Sequence, residues 1–320
     1  MKKDVMLSVI IISYNQEKYI KEAIDSVINQ KTEYSYEILL ADDCSPDNTK
    51  KILEEYGKKY PELIKILPRP KNLGANNNIM DAYLNSKGKY IAILEGDDYW
   101  CDENKIQIQV DFLEENPEYI AISHRQEGRD NKKNVLGYFP KNIKEDMTID
   151  GMDDLLKNGK SFSCTATIHR NLFLDSKHVK DLEYLHSLDT TISDAQMCKY
   201  LSTLGKIYVM KKPMMVYRIR NNDGNSNFNS SHKVNEIEYR YLKIYNKEYE
   251  FYNRKYDFYN KIKRSYTLGV AYNICKLNFK DIKKFNDECP KEYKIKIWLS
   301  FPFTCLKILS NRFFRDRSDN

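Results

Sequence analysis

Leu7-Ser-Val-Ile-Ile-Ile-Ser13 is a short, almost unbroken β-branched run. A strand of that composition is covered on both faces, as in a parallel sheet. Three runs of the same kind follow at Glu37-Ile-Leu-Leu-Ala41, Leu63-Ile-Lys-Ile-Leu67 and Tyr90-Ile-Ala-Ile-Leu94, with helical patterns between them at about 17–29, 46–59 and 76–86. Strand starts near 7, 37, 63 and 90 lie roughly 25–30 residues apart, the length of a βαβ crossover. The first hundred residues therefore predict a right-handed, doubly wound α/β sheet of the nucleotide-binding type. Helix ends are marked in the same register: Ser45-Pro46 supplies an N-cap and a first-turn proline, and Gly88 closes the third helix.

From about residue 104 the pattern is α+β. A helix at 104–115 stops at Asn116-Pro117, strands are expected at 119–123, 135–139 and 164–169, a helix at 192–204, strands at 206–210 and 214–219, and a polar loop at 221–231. Beyond about 233 the chain is helical and rich in tyrosine. Tyr245, Tyr249, Tyr252, Tyr256 and Tyr259 recur at four-three-four-three spacing, which predicts one stripe on a single helix, packed on the body or against a second copy of the chain. The domain organisation expected is 1–230, with halves at about 1–103 and 104–230, followed by a helical region at 231–320. Within that region, 295–309 is interrupted by Lys296, Pro302 and Lys307, too often for the roughly 20 apolar residues of a membrane span. Trp298, Phe301, Phe303, Leu306, Phe313 and Phe314 with their basic neighbours instead suit an interfacial anchor over 295–317.

At 320 residues with 41% hydrophobic and 31% charged content, the chain can bury a real core and carries no disordered or low-complexity bias. Its formal charge of +6 is too modest to mark a nucleic-acid binder. Seven scattered cysteines without a C-x-x-C suggest neither a zinc site nor a disulfide framework, and they fit a reducing compartment. Met-Lys-Lys-Asp-Val leads straight into the first strand pattern with no apolar signal segment, so a cytoplasmic setting is expected.

A doubly wound sheet binds its ligand beyond the carboxyl ends of its strands. The loops there hold Ser13-Tyr14-Asn15, Asp42-Asp43-Cys44-Ser45, the stretch from Arg69 to Gly74, and Glu95-Gly96-Asp97-Asp98-Tyr99-Trp100. Neither G-x-G-x-x-G nor G-x-x-x-x-G-K-[ST] occurs, which weighs against dinucleotide dehydrogenases and P-loop ATPases. Three carboxylates within Glu95-Gly-Asp97-Asp98 repel one another unless a cation joins them. Mg²⁺ or Mn²⁺, bound by one or two of them together with phosphate oxygens, would hold a diphosphate. Asp42-Asp43 reads equally well as a turn and helix-start pair, since acids are favoured in a first helical turn.

Taken together, Ile10-Ile-Ile-Ser13-Tyr14-Asn15, Ala41-Asp42-Asp43-Cys-Ser45-Pro-Asp-Asn-Thr49, Asn72-Leu-Gly74 and Lys87-Gly-Lys-Tyr-Ile-Ala-Ile-Leu-Glu95-Gly-Asp97-Asp98-Tyr-Trp100 resemble the family 2 glycosyltransferases over about residues 6–230. The resemblance implies a GT-A (Rossmann-like) doubly wound mixed sheet with a helical C-terminal extension. It implies that Ser13 and Tyr14 contact the nucleotide, with Tyr14 against uracil or an equivalent base. Asp43 accepts from the base ring, Asp42 shares that duty, Asp97 reaches ribose or metal, Asp98 is the main metal ligand, and Glu95 takes the first acidic place of the signature. The Glu-Gly-Asp-Asp-Tyr-Trp form is similar to that of bacterial cell-surface polysaccharide enzymes.

Inverting transfer needs a general base opposite the leaving diphosphate. Asp194 matches the helix start where the family places it, although Ser193 stands where many members have a second acid. Asn76-Asn77-Asn78 replaces a phosphate-binding arginine of the family's third helix. Arg218 and Arg220 match a closing segment and are candidate diphosphate contacts, or surface ion pairs. His124, His169, His178, His186 and His232 show no ligand spacing. The implied partners are a nucleotide-sugar donor, with a leaning to UDP, and a glycan or lipid-linked glycan acceptor for a capsule or O-antigen. The implied site of action is the inner face of the cell membrane. Alternatives are a non-catalytic scaffold of the same fold and, with less support, a nucleotidyltransferase, which would carry a Gly-rich basic loop after the first strand.

Overall fold

The computed structural model describes residues 4–158, 160–188, 193–219, 234–253, 255–275 and 279–300. Two compact units are present, one of residues 1–155 with 159–221 and one of 156–158 with 222–320.

The first unit is built on a mixed sheet. Its strands are β1 (Leu7–Ser13), β2 (Tyr36–Asp42), β3 (Ile64–Ile66), β4 (Tyr90–Glu95), β5 (Tyr99–Trp100), β6 (Tyr119–Arg129), β7 (Val135–Phe139), β8 (Met147–Ile149), β9 (Ile168–Arg170) and β10 (Lys206–Arg218). The order is β3-β2-β1-β4-β9-β6-β10-β5, with β7 on β6 and β8 on β10. The helices are α1 (Ile20–Ile28), α2 (Thr49–Lys59), α3 (Ala75–Leu84), α4 (Lys105–Glu115), α5 (Met152–Leu156), α6 (Ser176–Leu188) and α7 (Ser193–Ser202).

β1 lies parallel between β2 and β4, and Val9, Ile10 and Ile11 are buried as the run predicts. On one face Leu7, Val9 and Ile11 meet Ile20, Ala23, Ile24 and Val27, the i, i+3, i+4, i+7 stripe of α1. The strand that follows Gly88 passes very close to β1. A Cβ on Gly88 would lie 2.4 Å from the Ser8 nitrogen, so only glycine fits there.

Three features depart from the pattern reading. The stretches 206–210 and 214–219 form the single strand β10, whose register against β6 shifts between Met210 and Met215. Pro213 sits in that shift, where the absence of an N–H costs no ladder bond. Residues 164–169 are a 3-10 turn at Cys164–Ala166 followed by β9, which lies antiparallel between β4 and β6. β5, β8 and α5 are too short to show a period, and α6, with Leu182, Leu185 and His186 buried on one face, escapes the pattern reading.

The second unit contains α8 (Val234–Phe251), α9 (Tyr259–Cys275), α10 (Phe279–Glu288) and a helix over 291–300. The tyrosine stripe is therefore broken: Tyr245 and Tyr249 lie on α8, Tyr252 and Tyr256 in the connecting turn, and Tyr259 at the start of α9. Asn253 takes a left-handed φ of 52° just past α8, and Asp257 accepts from the Tyr259 N–H at 2.9 Å at the start of α9. These are ordinary stop and start signals that outweigh the spacing. Across the turn, Tyr252 stacks on Phe258 with ring centroids 6.2 Å apart.

Candidate active site

The carboxyl ends of β1, β2 and β4 form one edge. There Ser13 Oγ donates to Asp42 Oδ1 at 3.0 Å, and Asp42 also accepts from Ser45 N at 2.9 Å and from Ser45 Oγ. Asp42 thus closes its own turn. Asp43 looks the other way. Its N–H donates to Ser13 O at 2.9 Å, its Oδ1 accepts from Leu73 N at 2.6 Å, and it lines a cavity of about 440 Å³ with Tyr14, Asn72, Gly74 and Glu95. Consecutive residues at a strand end point to opposite faces, which sends the two acids apart, and Cys44 just after them adopts a positive φ of 61°.

The loop after β1 is stitched to the loop after β2. Asn15 N donates to Ser45 Oγ and Gln16 N to Thr49 Oγ1, both at 2.9 Å. Glu17 N donates to Asp47 Oδ2 at 2.9 Å, and Asn48 N to Glu17 Oε2 at 3.0 Å. On the third side, Arg69 Nε donates to Asn78 Oδ1 at 2.9 Å, its guanidinium pairs with Asp81 at 2.9 Å, and Asn78 Nδ2 donates to Ala41 O at 2.8 Å. Such a cradle is rigid before any ligand arrives. Tyr14 is 48% exposed at its rim, an aromatic face open to a planar ring, and the volume suits a small ligand.

Gly96 brings the end of β4 against β1, donating its N–H to Ile12 O at 2.8 Å. A Cβ there would lie 2.5 Å from Gln16 Oε1 and 3.1 Å from Ile12 O. Asp97 and Asp98 follow, both buried. Asp98 Oδ1 accepts from the backbone N–H of Arg218 at 2.8 Å, so the far strand β10 holds this carboxylate in place. The Arg218 side chain runs behind the turn. It donates from Nε to Asp97 O and from Nη2 to Glu22 Oε2, each at 2.7 Å, with its guanidinium 4.6 Å from the Tyr19 ring centroid. Its charge is committed to Glu22 and to the turn, and it is not among the residues lining the cavity. Arg220 lies outside the described residues.

Among the described residues no three His, Cys, Asp or Glu side chains converge on a metal position. The donor set at this edge does not form a closed cage. The buried carboxylates of Asp97 and Asp98 are a donor set of the kind a hard divalent ion takes when phosphate oxygens and water complete its shell.

One bracing residue escaped the sequence reading. Lys105, fully buried at the start of α4, donates to Gln109 Oε1 and places its amine 4.8 Å above the Trp100 ring. Gln109 in turn donates to Ile122 O at 3.1 Å. Burial pulls the amine down to about 7. Trp100 pairs with Met215 of β10, so this contact braces the strand that follows Asp98. A signal was present: Lys105 and Gln109 stand at i, i+4 within the face fixed by Ile106, Val110 and Leu113.

Asp194 stands in the first turn of α7. Residues 189–192 before it lie outside the described residues, and it is not among the residues lining the cavity. The residue is solvent-accessible, yet protein surrounds it closely enough that desolvation raises its carboxyl above the usual range. Cys164 and Tyr83 feel its charge. The pairing of Ala92 with Ile168 runs the 164–166 turn alongside the last residues of β4, so Asp194 is on the flank of the edge next to the acidic motif. His169 and His186 are buried, which lowers both to about 4. Burial also depresses His124, His178 meets the Tyr200 hydroxyl at 2.8 Å, and His232 lies outside the described residues.

Residues 8–172, which span all four of these loops, match the sequence profile of glycosyl transferase family 2. An uncharacterised protein of Mycobacterium tuberculosis is 42% identical over 118 residues, 37% of this chain and 34% of that protein. The match thus spans about a third of the relative's length. The dTDP-rhamnosyl transferase RfbG of Shigella flexneri is 28% identical over 246 residues, 74% of this chain and 81% of that one. Among solved structures, Staphylococcus aureus TarS 1–349 in complex with UDP-GlcNAc overlays with a TM-score of 0.53 at 18% identity, covering 94% of this chain and 92% of that chain. At that identity the likeness concerns architecture, and the architecture is the GT-A fold. With the profile lying over half of its length and over the whole β1–β2–β4 edge, the chain belongs to glycosyl transferase family 2.

Proposed function

We propose that the chain is an inverting, metal-dependent glycosyltransferase of cell-surface polysaccharide synthesis. It moves a sugar from a nucleoside diphosphate donor, a UDP-sugar in this reading, to a hydroxyl of a glycan or lipid-linked glycan. The observation that carries the proposal is the convergence on one edge: Tyr14, Asp43 and Glu95, from the ends of β1, β2 and β4, line one cavity, and the buried Asp97-Asp98 turn, itself outside that lining, follows two residues after Glu95. A base fits against Tyr14 with its ring N–H toward Asp43, the ribose reaches Asp97, and the diphosphate lies by Asp98. The names of the relatives add support, because RfbG is a dTDP-rhamnosyl transferase and TarS was solved with UDP-GlcNAc.

In the reaction the bond between the sugar's anomeric carbon and the diphosphate oxygen breaks, and its electron pair leaves with the nucleoside diphosphate. The acceptor oxygen attacks the opposite face and passes its proton to the carboxylate of Asp194, whose raised affinity for protons suits a general base. Bound Mn²⁺ or Mg²⁺ would stabilise the charge growing on the diphosphate. Arg218 acts from behind as a positioning residue, setting the Asp97 carbonyl and the Asp98 carboxylate. Residues 1–230 carry this chemistry, and 231–320 serve to hold the enzyme at the inner membrane face or to a second copy.

The test is release of nucleoside diphosphate from a panel of UDP-, GDP-, CDP- and dTDP-sugars by the full chain, with Mn²⁺ and with EDTA. Turnover of one donor that stops in EDTA is the expected result. Turnover unaffected by EDTA would overturn metal dependence, and absence of any donor turnover would favour a scaffold.

A further inference from the structure

The helix over 291–300 has two apolar faces. Inward, Ile297 is fully buried, and the Tyr293 ring lies 5.3 Å from Tyr249 and 5.4 Å from Tyr259. Outward, Ile295 is 74% exposed, Trp298 44% and Leu299 77%. These three stand at i, i+3 and i+4, so they form one patch on the side where a surface helix ordinarily carries charge. Trp298 is steadied at its base by an edge contact to Tyr266 at 6.2 Å. At 100° per residue, Lys294 and Lys296 fall on either side of the patch and Lys291 one turn ahead of it, with Glu292 the single acid of the segment.

We infer that this face seats on an anionic lipid surface. An apolar strip bordered by lysines on both flanks matches the layering of a bilayer boundary, with rings and aliphatic groups at acyl depth and long basic side chains reaching back to the headgroups. Anionic headgroups supply the complementary charge. A second copy of the chain fits less well, because a two-fold contact through this patch would bring the lysine borders of both copies together. No helix among the described residues is long and apolar enough to cross a membrane, so the contact is with the surface. The inference extends the proposed setting at the membrane, but its readout needs no nucleotide, metal or acceptor.

The full chain is spun down with vesicles of phosphatidylcholine alone and of phosphatidylcholine with phosphatidylglycerol, while tryptophan emission is followed in a Trp100→Phe background. Sedimentation with the anionic vesicles only, a blue shift of Trp298, and loss of both in the Trp298→Glu, Leu299→Glu variant are expected. Lys291→Glu with Lys294→Glu, which leaves the apolar patch intact, should lower the partition by about fivefold per lysine or more. Equal sedimentation of parent and Trp298→Glu, Leu299→Glu chains would overturn the inference, as would binding indifferent to phosphatidylglycerol. Absence of vesicle binding together with a dimer that these substitutions dissociate would also overturn it and assign the face to a second copy. Donor turnover by the substituted chains would show that losing the membrane contact and losing the reaction are separate events.

Discussion

At the ends of β1 and β2, each loop is tied to its neighbour by backbone N–H groups that donate to short polar side chains, such as Asn15 to Ser45 and Leu73 to Asp43. The flank that carries Asp194 is held differently, by the crossing of distant segments: a 3-10 turn, a strand between two antiparallel partners, and a helix that begins at Ser193. The contrast separates rigid donor recognition, written in contiguous motifs, from an acceptor side whose shape depends on long-range packing. Each expectation below distinguishes the two.

The largest effect belongs to the acceptor side. Asp194→Asn should lower transfer by about 10³-fold while nucleotide binding is unchanged. In the parent the rate should rise with pH around a midpoint above the ordinary carboxylate range, because the base must be unprotonated and desolvation raises its affinity for the proton. Steady-state rates against pH with calorimetry on both proteins make the check, and equal transfer by the two would remove Asp194 from the reaction.

Next come the paired acids of β2, which the structure divides by role. Asp43→Ala should weaken nucleotide binding by about 10- to 100-fold, the value of a hydrogen bond to a charged group. Asp42→Ala should instead lower stability by about 1–2 kcal/mol through loss of its turn, with the smaller change in affinity. If the two affinities fall alike, the opposite orientation of the two acids has no functional meaning.

Gly96→Ala should cost about 1–3 kcal/mol, since a methyl group cannot enter the gap against Ile12 O and Gln16 without moving the β4 turn. Chemical denaturation reads this directly. A neutral result would show that the edge yields more than the geometry suggests.

The most specific expectation concerns Lys105. Its amine titrates at about 7 when folded, against an ordinary 10.5, so between those values the unfolded chain binds a proton that the folded chain does not. Stability should therefore rise with pH through that window, by up to about 1.4 kcal/mol per unit, and Lys105→Met should remove that part of the slope. Denaturation midpoints at neutral and alkaline pH in both proteins measure it.

Much of the donor side was legible because βαβ repetition alone sends Ser13, Asp43 and Glu95 to one edge, whatever their distance in the chain. The supports of that edge were not legible. Arg218 meets Glu22 from the far end of the sheet, and Lys105 lies beneath Trp100, contacts that no periodicity announces. The single tyrosine stripe failed for a different reason, since Asn253 and Asp257 carried the break in plain view. Spacing was followed there where capping chemistry decided the outcome.

The central claim is that the β1–β2–β4 edge binds a nucleoside diphosphate with a divalent ion at Asp98. Calorimetric titration of UDP into the parent and into Asp98→Ala, each with Mn²⁺ and with EDTA, tests it most directly. The account predicts binding by the parent that falls by about 10²-fold or more in EDTA or on substitution of Asp98. Equal affinity in all four titrations would contradict it.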